Sequence, residues 1–225
     1  CARPGLDVWK ASAWAESKDY YNPKEVMEAA RLMLSVADRY KGNNNFEYDL
    51  VDVLRQAITE KGRLVLKVVS AAYKAEDQGL FAQASQRFLN LILLQDELLG
   101  TRKEFRVGNW TGMARNIGQT KEEKDLYEWN ARVQITTWGN HSASERGKLH
   151  DYAHKEWNGI LKDFYYMRWK TYFDGLTRSL KGEMVPVIDW YALEEPWTKV
   201  SDTTYSAEPV GDCIEVAKKV FNEVF

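Results

Sequence analysis

The three histidines of the chain fall close together, at His141, His150 and His154. On a helix His150 and His154 share one face, a spacing able to hold a divalent metal, and His141 in the preceding loop is the nearest third ligand. The His-Glu-x-x-His pattern of a catalytic zinc helix is absent. Two ordinary, partly exposed histidines are therefore the plainer reading, and no metal or other cofactor is expected. A second group is Asp49, Asp52 and Arg55, two acids and a base on adjoining faces of one helix. Such a trio reads either as a site or, more commonly, as an ion-pair network. Glycoside hydrolysis needs two carboxylates at a set separation, about 5–5.5 Å for retention or about 6.5–9.5 Å for inversion. The 33 acidic residues offer many pairs and their spacing selects none. Phosphate-binding glycine loops, dinucleotide fingerprints and nucleophile elbows are absent. Asn109-Trp110-Thr111 and Asn140-His141-Ser142 match the N-glycosylation sequon, a short pattern that arises by chance.

The elements that would carry these residues are helical. Asn22-Pro23-Lys24-Glu25 combines a cap, a first-turn proline and a glutamate three residues on, and predicts a helix to about Tyr40 that buries Val26, Ala29, Met33 and Val36. Gly42 and Asn43-Asn44-Asn45 end it. A long helix follows from Phe46 to about Tyr73, with Leu50, Val51, Leu54 and Ile58 as one stripe, Leu64, Val65, Val68, Val69 and Ala72 as the next, and Gly62 as a possible kink. A third runs from about Leu80 to Leu99 on Phe81, Ala84, Phe88, Leu91, Ile92 and Leu98. A short helix is expected near Trp110–Asn116, and Thr120-Lys121-Glu122-Glu123 reads as a capping box opening a helix to about Thr137. After a loop over Asn140–Gly147, aromatic spacing predicts one helix from about Leu149 to Leu180, which would carry both His150 and His154. Further helices are read at Ile188 to about Trp197 and after Asp212, the latter burying Ile214, Ala217, Val220 and Phe221. The pattern is all-α, an irregular bundle of about seven or eight helices with short loops, read as a single domain over residues 1–225. No regular repeat period is visible.

Composition narrows the class. Thirty-one basic against 33 acidic residues give a net charge of −2, without the basic excess of a nucleic-acid binder. No apolar run approaches the ~20 residues of a membrane span. Cys1 and Cys213 are two thiols rather than a disulfide framework, with pairing between them left open. The start on Cys-Ala-Arg-Pro reads as a piece of a longer chain. Nine tryptophans and twelve tyrosines point to a core, an interface or a sugar platform, with the core favoured by their helical spacing.

Several stretches carry a family resemblance. Phe46-Glu47-Tyr48-Asp49-Leu50-Val51-Asp52-Val53-Leu54-Arg55-Gln56 resembles the Tyr-Asp-Leu-x-Asp-x-x-Arg-Gln signature in the C-terminal helical domain of glycoside hydrolase family 89, the α-N-acetylglucosaminidases. Ala2-Arg3-Pro4-Gly5-Leu6 is similar to that domain's lead-in, and Tyr21-Asn22 with Val26 and Ala30-Arg31-Leu32 to its first helix. Asn130 to Gly139 resembles Asn-x-Arg-x-Gln-x-Thr-x-Trp-Gly, carried by Asn130, Arg132, Gln134, Thr136, Trp138 and Gly139. Asp151-Tyr152-Ala153 with Lys155, then Gly159, Leu161, Tyr165 or Tyr166, and Arg168-Trp169 resemble the next helix, and Gly211-Asp212 through Ala217-Lys218-Lys219 the closing one. The matches run in order through almost the whole chain.

The resemblance implies a helical C-terminal domain that packs on a catalytic (β/α) barrel. The whole enzymes remove terminal α-linked N-acetylglucosamine with retention, heparan-type chains included. The two catalytic glutamates of such enzymes lie in the barrel, so no residue here inherits a catalytic role. A secreted, periplasmic or lysosomal setting follows from family habit. Trp138, beside Gly139 at a helix end, is the first candidate for the wall of a sugar pocket, with Tyr48 and Tyr20 behind it; interface packing is the alternative for each. Arg132 and Arg168 are expected to tie helices together through buried pairs, and the face turned to the barrel to expose aromatics. The competing readings are a stand-alone carbohydrate-binding module and a helical protein-interaction scaffold.

Overall fold

The computed structural model describes residues 3–6, 20–199 and 205–225. Among them there is no strand, only an isolated bridge between Arg106 and Asn158. Eight α-helices follow in order: α1 Pro23–Val36, α2 Asn44–Lys74, α3 Gln78–Leu99, α4 Val107–Arg115, α5 Lys121–Gln134, α6 Tyr166–Leu180, α7 Trp190–Lys199 and α8 Cys213–Val224. Most begin where side chains satisfy otherwise unpaired first-turn amides. Asn22, Asn43, Asp77, Thr120 and Asp212 each accept a backbone N–H of the turn they open, and at α5 the Glu123 carboxylate returns to Thr120 N to complete a capping box.

The core is the long α2–α3 hairpin, closed by α1, α6 and α8. Phe81 and Phe88 of α3 meet Trp169 and Phe173 of α6 with ring centres 4.6–6.1 Å apart. Such edge-on pairs add about 0.5–1.5 kcal/mol each beyond the area they bury. Gly62 does not interrupt α2; it sits against the Phe88 ring, where a Cβ would lie 3.4 Å from Cε2. Ile214, Ala217 and Val220 of α8 are buried as expected, with Phe221 half-buried.

Four expectations shift. The α1 stripe is one residue late: Ala30 and Ala37 are buried while Ala29 and Val36 face outward, and a 3₁₀ turn over Ala37–Tyr40 replaces the helix end. In α2 Leu64 and Val68 are exposed and Leu66 takes the inward place. Asn140–Gly147 is not plain loop but contains a π-helical turn, Ser142–Arg146. The long aromatic helix begins only with a π turn at Leu161–Tyr165 that runs into α6. Residues 149–159 are instead irregular, and Asp96 pins the end of this stretch at Asn158 and Gly159. Its carboxylate accepts from Gly159 N (2.7 Å), Lys162 N (3.2 Å) and Asn158 Nδ2 (2.8 Å), while Val107 N donates to Asn158 O. Gly159 itself sits at φ +92°, outside the helical region.

Candidate functional site

The irregular stretch between α5 and α6 gathers backbone strain. Of the four non-glycine residues with left-handed φ among the described ones, Trp138 (+62°), Lys148 (+53°) and Asp151 (+63°) lie here. Each such residue costs roughly 1–2 kcal/mol. Strain of this kind persists only where the surroundings over-determine it, and it gathers at functional sites. Trp138 closes the end of α5, its N–H donating to Val133 O at 2.8 Å. Its half-buried ring lies 4.9 Å from that of Tyr152, which is 64% exposed. Asp151 N donates to Thr136 O at 3.0 Å, joining the two strained segments. His141, exposed, meets Tyr191 of α7 edge-on at 5.2 Å.

Beneath the aromatics lies a charged clasp. Arg168, fully buried on α6, donates to Asp151 Oδ1 at 2.7 Å and pairs with Glu194 Oε1 at 2.8 Å; its guanidinium stacks 4.3 Å from the Phe164 ring centre. Arg3 donates through its guanidinium to Glu194 (2.8 and 2.9 Å) and Glu145 (2.6 and 2.8 Å), and through its backbone N–H to Asp151 Oδ2 (3.0 Å). The hydrogen bonds from Arg3 and from the Ser144 hydroxyl outweigh burial and hold the Glu145 carboxyl down at about 2. Two guanidinium groups thus face three carboxylates, two of them deeply buried; every carboxylate contacts a guanidinium, Glu194 contacts both, and the cluster keeps one negative charge in excess.

Arg132, also fully buried, grips the same α7 further along. It donates to Trp197 O at 3.1 Å and to Glu128 through Nε (2.9 Å) and Nη2, and lies over the rings of Trp197 and Tyr205. Arg115 holds the other oxygen of Glu128 at 2.8 Å. Tyr205 OH donates to Asp163 and accepts from Trp197 Nε1; burial, with that carboxylate next, pushes the phenol well above its ordinary range. Both arginines read as helix ties therefore hold one helix, α7, in place.

The other sequence candidates lie apart from this clasp. Asp52 and Arg55 form an ion pair on α2, and Arg55 also lies over Phe105, against which Tyr48 stacks at 5.1 Å. Asp49 is exposed and joins no ion pair among the described residues. Tyr20 is 86% exposed near the start of α1. His150 and His154 do not share a helix face; the left-handed Asp151 stands between them. Each points Nδ1 at a backbone carbonyl, Ser144 O (2.8 Å) and Asp151 O (2.9 Å), so that nitrogen carries the proton and donates. No cluster of metal-ligating side chains occurs among the described residues. Cys1 lies outside them, and Cys213 is a buried free thiol. Sequence reading missed Glu145, Glu194 and Tyr152. The carboxylates' partner Arg3 is 142 and 191 residues away, and no local spacing carries that signal.

Comparison with known proteins places this arrangement. Residues 1–223 match the family model described as the α-N-acetylglucosaminidase C-terminal domain. Human α-N-acetylglucosaminidase is 30% identical over 97% of this chain, which spans 28% of the human protein. A family 89 glycoside hydrolase from Clostridium perfringens, solved with 2-acetamido-1,2-dideoxynojirimycin, superposes with a TM-score of 0.92 at 35% identity over 99% of this chain and 26% of its own. A double glutamate-to-glutamine variant from the same organism, solved with its substrate GlcNAc-α-1,4-galactose, matches with the same TM-score at 36% identity. The chain spans about a quarter of the length of these relatives. No helix among the described residues is long and apolar enough to cross a membrane. A lead-in arginine clasped to the Trp138 corner, the Tyr48–Arg55 helix and the full-length match agree: the chain belongs to the C-terminal domain family of the α-N-acetylglucosaminidases, glycoside hydrolase family 89.

Proposed function

We propose that this chain is the helical C-terminal unit of an enzyme that hydrolyses terminal α-linked N-acetylglucosamine, and that its Trp138–Tyr152 corner forms part of the wall of the sugar pocket. The observation that carries the reading is the corner itself: a partly open ring pair, set on two left-handed residues and underlain by a buried ionic clasp. Backbone strain of this kind gathers at functional sites, which favours a working corner over a plain spacer. Aromatic faces stack on the apolar face of a sugar ring, and a rigid pair does so at low ordering cost. The chemistry requires two carboxylates supplied by the remainder of such an enzyme, and this unit contributes shape and packing. The unit requires no cofactor, and the enzyme works in a secreted, periplasmic or lysosomal setting.

The test is complementation. The catalytic portion of the enzyme is assayed on an aryl α-N-acetylglucosaminide alone and with this domain added, wild type or Trp138→Ala. Activity that rises on mixing with the wild-type domain, and less with Trp138→Ala, supports the reading. A domain that binds the catalytic portion equally well with either residue and gives equal activity reduces Trp138 to packing. A domain that neither binds nor changes activity refutes the proposal as a whole.

A further inference from the structure

Resting on that reading, we infer that Asp151 is a positioning residue: it holds the Trp138–Tyr152 ring pair in its working geometry and is itself fixed by Arg168 and Arg3. All of its polar groups are committed. The backbone N–H binds Thr136 O, two residues before Trp138. The carbonyl accepts from His154 N and Nδ1. One carboxylate oxygen accepts from Arg168 Nη1 and the other from Arg3 N.

The residue is buried and left-handed, and it directly precedes Tyr152, whose ring covers Trp138. A left-handed aspartate relaxes toward ordinary backbone angles unless its ends are pinned. Here the pins are guanidinium and amide groups from α6 and from the chain's lead-in. Released from them, residues 150–152 can rotate, and the Tyr152 ring leaves Trp138. Asp151 touches neither ring's face and is no part of a sugar contact; it acts through Trp138 and Tyr152. Arg3 extends the same control, because it clasps the lead-in to the corner through Asp151, Glu145 and Glu194 together. Displacement of the lead-in therefore reaches the rings through a path of hydrogen bonds no longer than 3.0 Å.

The experiment uses the full-length enzyme with Asp151→Asn, Trp138→Ala and the double variant. Asparagine tolerates the left-handed backbone but turns an amide N–H toward a donor, either Arg3 N–H or Arg168. Arg3→Gln strips the guanidinium from Glu145 and Glu194 and so loosens the lead-in whose backbone N–H binds Asp151; it serves as the milder perturbation should Asp151→Asn fail to fold. Two readouts are taken. Hydrogen exchange at the Trp138 and Asp151 amides is expected to accelerate at least ~10-fold while α2 and α3 stay protected, the mark of a local opening. For the aryl α-N-acetylglucosaminide, KM is expected to rise roughly 10-fold with kcat nearly unchanged, the pattern of lost uniform binding. In the Trp138→Ala background the same substitution adds less than about 2-fold, because the rings it positions are already gone. Unchanged exchange at the corner overturns the positioning role. Additive KM effects overturn it as well, since a general loss of stability would act in either background. If exchange accelerates but Trp138→Ala alone leaves KM untouched, the pocket-wall reading is what fails, and the positioning role for substrate fails with it.

Discussion

Replacing Arg132 with methionine tests whether this buried arginine of α5, whose charge Glu128 balances, holds α7 to the bundle through Trp197. The guanidinium is 1% exposed and pairs with Glu128, itself 6% exposed at the side chain. Removing one partner of a buried pair costs about 3–5 kcal/mol, chiefly from the charge left behind. Glu128 keeps Arg115 at 2.8 Å, so it is not stranded and the lower end of that range applies. To this is added the Trp197 carbonyl, left without its donor, at about 1 kcal/mol or more. The lost guanidinium–indole contact adds ~1 kcal/mol. Shared partners keep these from summing fully, and about 4 kcal/mol is expected. For a domain of this size 1 kcal/mol moves the melting temperature by about 2–4 °C, so Arg132→Met should lower it by roughly 8–16 °C. Thermal unfolding followed by circular dichroism at 222 nm measures the shift. Converting Glu128 to methionine in the same chain should restore part of the loss, since the remaining Arg115 is partly solvated. A fall under about 3 °C, or a double variant less stable than Arg132→Met, refutes the claim that Arg132, backed by Glu128 on the same helix, holds α7 in place.

Other outcomes follow from single sites. Gly159→Ala forces a Cβ to within 2.8 Å of Val107 Cγ1 and Tyr205 Cδ1 at a backbone φ of +92°; a loss of about 2–4 kcal/mol is expected in urea unfolding, whereas Gly182→Ala, left-handed at φ +75° but with open space around it, should lose only the roughly 1–2 kcal/mol of its backbone conformation. The Glu145 carboxyl is held below its ordinary 4.5, at about 2, so its contribution is complete above pH 4.5 and fades as pH falls toward 2. The stability gap between wild type and Glu145→Gln should thus be constant from neutral pH to about pH 5 and close below it, which melting curves across pH will show; a gap that closes at neutral pH contradicts the clasp. Burial pushes the Cys213 thiol up to about 11, so iodoacetamide at pH 8 should leave its peptide unmodified in the native protein and alkylate it fully in denaturant, as read by peptide mass mapping.

Where the chain carries its own punctuation, the fold was legible. Asn22-Pro23, Asp212 and the Thr120–Glu123 box set helix starts through side chains acting on amides two or three residues away, and such interactions are written locally. The α3 stripe was read correctly because its inward face is unbroken. The α1 stripe slipped because Ala29 and Ala30 are equivalent to periodicity, and only packing against α2 and α8 chooses Ala30. Residues 149–159 were misread for a different reason. Their aromatic spacing suits a helix, but Asp96 on α3, more than sixty residues away, binds Asn158 and Gly159 and pins the end of the stretch. The arginine ties were legible as a residue type, since a buried arginine needs a carboxylate. Of the carboxylates that answer them, Glu128 lies four residues before Arg132 on the same helix, whereas Asp151 and Glu194 meet Arg168 only in three dimensions. The shared helix face read for His150 and His154 does not form, because the helix on which it depended starts only after them.

The position of α8 bears on how the polypeptide is made. Ile214, Ala217 and Val220 fill a furrow formed by α1, α2 and α3, which are complete long before α8 leaves the ribosome. During that interval α1, α2 and α3 emerge with their furrow uncovered. A nascent chain in this state offers an apolar groove to chaperones, and to neighbouring nascent chains on the same message. Translation stalled anywhere between α3 and α8 prolongs that exposure, so synthesis rate across this stretch bears on yield even where every folded-state contact is intact.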